Sequence, residues 1–473
     1  MNSIFWHDYE TTGTSPALDR PLQFAGVRTD EELNIIEEPV MFYCKPSREI
    51  LPHPEACLVT GITPQLADAK GKREPEFVAA VEKELARPGT CGAGYNSIRF
   101  DDEVTRYSFY RNFYDPYERE WQNGNSRWDI IDMLRLTHAL RPEGIQWPIS
   151  EEGTVSFRLE DLTRANGIAH EDAHDALSDV YATIAMARLV RDKHPKLYEY
   201  VYQHRTKHRV ASLLDVAARK PFLHVSSRLP RENAYTALMI PLCRHPNNSN
   251  AIIAFNLMAD PQPLLTLRAE QIKERVYSAA QDLPEDTQRI PLKAVHLNRC
   301  PVVATTKLLD TGAATRLRID VARCEAHWNL LKSADIAAKL QAVFSADHFR
   351  AAVDAEAALY AGFPSPSDKA LLATVRRAAP DELALLQTQF QDPRYRELLF
   401  RYRARYFPEC LSEEEWMVWE EQRYQMLAEP LPGRLTPDEY FARIEALETQ
   451  VEDERDRQIL ASLSEWGDRL LSE

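Results

Sequence analysis

No stretch of this 473-residue chain approaches the ~18 consecutive apolar residues of a membrane span. The opening residues, Met1 to Asp8, lack the basic and apolar segments of a secretory leader. Both absences point away from membrane-embedded and exported classes, and a cytoplasmic protein is expected. The seven cysteines (Cys44, Cys57, Cys91, Cys243, Cys300, Cys324 and Cys410) are odd in number and form no C-x-x-C pair. That excludes a disulfide framework as the basis of the fold and fits reduced thiols. Internal repeats and low-complexity tracts are missing as well, so neither a repeat array nor a disordered linker protein is expected.

Positive charge is in short supply. Lys and Arg number 57 against 72 Asp and Glu, a formal charge of −15. Nucleic-acid binders usually carry a basic footprint, but the acid here is unevenly spread. Residues 411–473 hold 17 acidic and 6 basic residues, which leaves only −4 for the first 410. Within those lie basic islands, such as His194 to Lys196 and His204 to Arg209.

What is present is a set of acids. Ile4 to Glu10 reads as a buried strand that turns suddenly acidic. Alternate residues of a strand share a face, so Asp8 and Glu10 project together with Tyr9 opposite. On its own such a pair is more often two solvated acids on a surface strand. Farther on, Asp101 and Asp102 follow the turn signals of Gly94 to Ser97 and precede a helix expected from Glu103, where an acid in the first turn is favoured in any case. Either acid suits a cap. A helix from Arg158 stops at Gly167, and the next is expected over residues 176–191, with His174 on the loop before it and Asp179 in its early turns. Four carboxylates and one imidazole from three segments are what a two-metal phosphodiesterase needs. Hard oxygen ligands hold a pair of Mg2+ ions and a histidine takes the proton from the attacking water.

D-x-E, a lone Asp about ninety residues on, and H-x4-D resemble the DEDDh exonuclease superfamily. F-x-H-D-Y-E-T-x-G at 5–13, P-A-L-D-R-P at 16–21, F-Y-C-K-P at 42–46 and G-Y-N-x-x-R-F-D-D-E-V-T-R at 94–106 narrow the resemblance to the bacterial exonuclease I family. F-Y-R-N-F-Y-D-P-Y at 109–117, N-S-R-W-D at 125–129 and A-H-D-A-x-x-D-V-Y-A-T-I at 173–184 agree. The likeness continues through H-R-x-K-H at 204–208, V-H-x-N-x-C-P-V at 295–302 and Y-R-A-R-x-F-P at 402–408, and so spans essentially the whole chain. It implies a ribonuclease H-like α/β exonuclease domain over 1–194, an SH3-like β-rich domain over 195–345 and an all-α domain over 346–473. It also implies that Asp8, Glu10, Asp101 and Asp179 hold two Mg2+ ions, with Mn2+ able to substitute. His174 becomes the general base, and Asp101 is preferred over Asp102. The implied reaction removes 5′-mononucleotides from the 3′ end of single-stranded DNA, in repair and recombination.

Further contacts are expected along the strand. Arg158 would meet the scissile phosphate, with a surface pair to Glu160 or Asp161 as the plain alternative. Glu10 would also touch substrate. Arg106, Tyr117, Trp121, Arg135, Lys207, Asn250, Lys293 and Tyr360 are candidate groove residues, since single strands are held by stacking platforms and phosphate contacts. The resemblance further implies docking of the acidic C-terminal tail of single-stranded-DNA-binding protein, for which Arg141 and Tyr200 are the candidates. A monomer is expected, with no membrane partner. Truncation after residue 194 is expected to leave a slow, distributive nuclease. The competing functions are a 3′→5′ exoribonuclease and a non-catalytic repair scaffold. About 280 residues beyond the catalytic segment favour DNA over small RNA trimming, and an intact set of repelling acids favours an enzyme over a scaffold.

Overall fold

An apolar run that can pair on both sides becomes a central strand, and Ile4-Phe5-Trp6 does so. In the computed structural model, which describes residues 2–170, 175–285, 287–345 and 354–472, β1 (Ser3–Thr11) is flanked by two partners. It runs antiparallel to β2 (Pro21–Thr29) and parallel to β4 (Thr90–Gly94), while β3 (Val40–Tyr43) lies outside β2, giving the order β3-β2-β1-β4. Gly26 on β2 is required by close approach: a Cβ there would stand 2.2 Å from the Phe5 ring. Helices α1 (Pro54–Thr60), α2 (Pro64–Lys70) and α3 (Glu74–Leu85) precede β4, and α4 (Asp101–Arg111) follows it. Tyr9, Phe24 and Phe77 fill the core on one face of the sheet, with ring centroids 4.8–6.4 Å apart.

The chain divides into two compact units. Met1–Ser126, His170–Tyr181 and Arg350–Glu473 form the first; Arg127–Ala169 and Ala182–Phe349 form the second. The C-terminal helices therefore belong with the β1 sheet. Helix Glu454–Ser472 packs Leu460, Leu463 and Trp466 against Leu51 and Cys57. Leu398, Leu399 and Tyr395 of helix Pro393–Tyr406 pack on Tyr107, Tyr110 and Phe113. The same unit holds a buried charge network. Glu356 accepts from Arg20 and Arg405, Arg405 also pairs with Glu49 at 2.7 Å, and Arg111 with Glu74 at 2.9 Å.

In the second unit, β5 (Ser126–Asp129, its first residue in the other unit) leads to α5 (Ile131–Leu140) and α6 (Leu159–Ala165). α7 (Ala176–Lys193) starts in the first unit and runs on into the second, followed by α8 (Pro195–Gln203) and α9 (Lys207–Leu213). β6 (Phe222–Val225), β7 (Thr236–Arg244), β8 (Ala251–Asn256), β9 (Leu292–His296) and β10 (Val303–Thr305) form an antiparallel sheet in the order β10-β6-β7-β8-β9. Its core holds Val210, Phe222, Met239, Ile252 and Val295.

One expectation changes. α4 begins at Asp101, not Glu103, so both acids sit in its first turn. In the C-terminal region Pro366, Pro380, Pro393, Pro408 and Pro437 open helices or helical turns. The first turn has no intrahelical acceptor for the missing N–H, and proline's fixed φ suits it. No helix among the described residues is long and apolar enough to cross a membrane.

Candidate active site

β1 outruns its partner β4. Their register ends at Trp6 and Ala93, so the Tyr9 N–H has no strand to bond on that side. The Asp101 carboxylate supplies the acceptor at 3.1 Å. Thr105, one turn along α4, lies 2.9 Å from the Asp101 carbonyl and 3.0 Å from the Tyr9 hydroxyl. Asp102 turns the other way and pairs with Arg119 at 2.5 Å, both side chains almost fully buried. The structure thus separates the two acids that the sequence left equivalent.

Asp8 and Glu10 share the face of β1 opposite Tyr9, and Asp179 reaches them from the first turns of α7. One carboxylate oxygen from each of the three lies within 4.8 Å of the others. Asp101 is outside that trio but acts on it electrostatically. Burial first, then Asp101, Glu10 and Asp179, hold Asp8 well above the usual carboxylate range. Burial, Asp179 and Asp101 do the same to Glu10. Such a cluster of hard oxygens, half-buried to buried and mutually repelling, fits a divalent cation. His174 lies outside the described residues.

Three neighbours were not anticipated. His170 places Nε2 2.5 Å from Asp179 Oδ1, and its side chain is 4% exposed. Asp175 caps α7, accepting from Ser178 N at 3.2 Å. Gln23 of β2 bonds to Asp175 and to the Ala176 N–H. The one sequence signal for Gln23 is a polar residue inside an apolar strand.

Two candidate groove residues of the first unit, Tyr117 and Tyr360, gather around the guanidinium of a third, Arg106. Arg106 donates to Glu120 (2.7 Å), Glu103 (2.8 Å) and the Tyr360 hydroxyl (3.1 Å), and lies 5.3 Å over the Tyr117 ring. It is committed to carboxylates, so it places Tyr117 and Tyr360 rather than offering a free cation. Trp121 is 64% exposed. In the second unit, Arg135 pairs with Asp132 at 2.6 Å and lies over Tyr235 and Phe157. Lys293 donates to Ser226 at 2.6 Å, and Lys207 is exposed at the start of α9. Asn250 uses its backbone to bond Asn248 and Leu297. Arg158 donates to Glu160 at 2.6 Å, the surface pair considered above, yet 71% of its side chain stays exposed. Arg141 pairs with Asp310 at 2.9 Å, and Tyr200 stacks on His204 at 4.2 Å.

Comparison with known proteins finds three family matches: "Exonuclease" over residues 5–187, "Exonuclease I SH3-like domain" over 205–346 and "Exonuclease I C-terminal domain" over 353–470. Exodeoxyribonuclease I of Escherichia coli (strain K12) is 45% identical, across 100% of this chain and 98% of its own. Among solved structures, an exonuclease I from Methylocaldum szegediense superposes with a TM-score of 0.94 at 50% identity, covering 100% of both chains. E. coli exonuclease I in complex with a dA16 oligonucleotide gives 0.93 at 45%, covering 99% of this chain and 100% of that one. An ExoI/SSB-Ct complex gives 0.91 at 44%, covering 99% of each.

Proposed function

The chain belongs to the exonuclease I family, and from that premise we propose that Asp8, Glu10, Asp101 and Asp179 hold the divalent cations of its reaction and that His174 is its general base. The protein is a hydrolase that degrades single-stranded DNA in the 3′→5′ direction. What carries the assignment is the convergence of Asp8, Glu10 and Asp179 within 4.8 Å, with Asp101 fixed to the same strand. We assign two Mg2+ ions to the site, replaceable by Mn2+. Bound there, such ions would supply charge stabilisation at the phosphate and lower the pKa of a water. His174 would take the proton of the attacking water as its oxygen bonds to phosphorus. The P–O3′ bond breaks and the departing O3′ takes up a proton, leaving a 5′-mononucleotide and a new 3′-hydroxyl.

Strand contacts are assigned to Tyr117, Trp121 and Tyr360, ordered by Arg106, and to Arg135, Arg158, Lys207, Asn250 and Lys293. Glu10 also touches the terminal nucleotide. The acidic tail of single-stranded-DNA-binding protein is assigned to Arg141 and Tyr200. A tail peptide should bind with a Kd on the order of micromolar and be released by salt, and Arg141→Ala or Tyr200→Ala should weaken it. Peptide binding unchanged in both variants would move the dock elsewhere.

The deciding experiment digests end-labelled single-stranded DNA, duplex DNA and single-stranded RNA in Mg2+ and in EDTA. Single-stranded DNA alone should shorten from its 3′ end, and only in Mg2+. Equal digestion of RNA would favour the exoribonuclease, and no digestion at all the scaffold.

A further inference from the structure

Gln23 lies on β2 directly across from Glu10 in the antiparallel register. Its neighbours Leu22 and Phe24 are wholly buried, and Gln23 itself is 1% exposed. A carboxamide so placed is costly unless its polar atoms are bonded. Its Oε1 accepts from the Ala176 N–H at 3.3 Å, and its Nε2 reaches Asp175 Oδ1 at 3.4 Å and the Tyr43 hydroxyl at 3.1 Å. Asp175 in turn takes the Ser178 N–H on its carboxylate and the Asp179 N–H on its carbonyl, at 3.2 and 3.0 Å. One side chain of β2 therefore grips the first turn of α7 at two points, and that turn carries Asp179.

We propose that Gln23 is a positioning residue for the carboxylate trio: it latches the first turn of α7 to β2, so that Asp179 meets Asp8 and Glu10 at a separation a divalent cation bridges. Ionised, the three acids repel one another, which pushes the α7 turn away from the sheet. The Gln23 bonds oppose that push before any cation arrives. The residue type follows from the geometry, because one planar group must accept from a backbone N–H and donate to a carboxylate. Glutamate there would lose the donor and add an acid beside Asp175. Methionine has similar length and would keep the packing while losing both bonds.

The inference rests on the metal-site assignment above, and its test separates the two. Full-length wild type, Gln23→Met, Asp175→Ala and the double variant are titrated with Mn2+, free ion being read by electron paramagnetic resonance. Exonuclease rates are measured against Mg2+ concentration, and single-stranded DNA binding is measured in EDTA. Gln23→Met should weaken Mn2+ binding about 10–100-fold, the range expected for groups that orient metal ligands. The Mg2+ concentration for half-maximal rate should rise in step, high Mg2+ should restore most of the turnover, and DNA affinity in EDTA should stay at the wild-type value. The double variant should lose no more than the weaker single variant, since both cut one latch. Asp175→Ala leaves the sheet untouched and carries the test if Gln23→Met does not fold. Wild-type Mn2+ affinity in the single variants, or additive losses in the double, would overturn the role of Gln23. Wild-type Mn2+ affinity in Asp8→Asn would instead overturn the metal site itself.

Discussion

Asp101 and Asp102 are adjacent, equally acidic and both buried, yet one faces the strand that carries Asp8 and the other faces Arg119. The sequence distinguishes them only through family likeness, because the deciding bond joins residues 92 apart in the chain. Asp8 and Glu10 were legible directly, since alternation on a strand fixes which side chains share a face. Gln23 was not, its α7 partner being 153 residues away. Asp8→Asn should abolish cleavage and remove the rise in Tm that Mg2+ gives the wild type. In the metal-free state it should raise Tm, by about 2 °C per kcal/mol of repulsion relieved; a lower metal-free Tm would refute the account of a strained acid cluster. The pH dependence follows from the same cause. Asp8 and Glu10 sit well above the usual carboxylate range, so the native state favours their protonated forms. Their contribution to stability is full at low pH and lost as pH rises through the raised values. Protons and cations compete for these oxygens, so Mn2+ affinity should strengthen as pH climbs through that window. Titrations at several pH values check this, and an affinity independent of pH would contradict it.

Among the elements, those with a clear period were read well. β1, β2's partner strand, spans Ser3–Thr11 around the expected run, and α7 spans Ala176–Lys193. Proline is ambiguous in sequence, because the same residue that ends one helix can begin another, and only the capping geometry at Ser365, Asp392 and Thr436 tells which. Glycine was silent at Gly26, where the constraint is a ring on the neighbouring strand and not a turn. Gly26→Ala should therefore cost about 1–3 kcal/mol by overpacking, measured by urea unfolding. Adding Phe5→Leu, which removes the obstructing ring, should recover part of the loss. If Gly26→Ala unfolds like wild type, β2 yields more readily than the close approach implies.

At the scale of the molecule, the expectation of a working nuclease cut off after residue 194 needs revision. The first unit draws on residues beyond 350, through the Leu460 and Leu398 clusters and the Glu356 network. A 1–194 fragment would expose Leu51, Cys57, Tyr110 and Phe113 and leave Arg20 without Glu356. It should be recovered unfolded or aggregated, not as a slow enzyme; a fragment with native circular dichroism and activity would disprove this. Glu356→Ala in the full chain should cost about 3–5 kcal/mol, because two buried guanidinium groups lose their shared partner, again read by urea unfolding. None of this was visible in the sequence, where the helical region reads as a separate block: its internal periodicity is local, while its docking depends on contacts spanning more than 300 residues. The interleaving of the first unit also sets an order in time. Asp8 and Glu10 are made well before the helices that close their core. At about 5–20 residues per second, a ribosome takes roughly 15–60 s to pass from the first sheet to those helices. During that interval the acids exist without the scaffold that gathers them, so a nascent chain carries the parts of a nuclease but not yet its cutting edge.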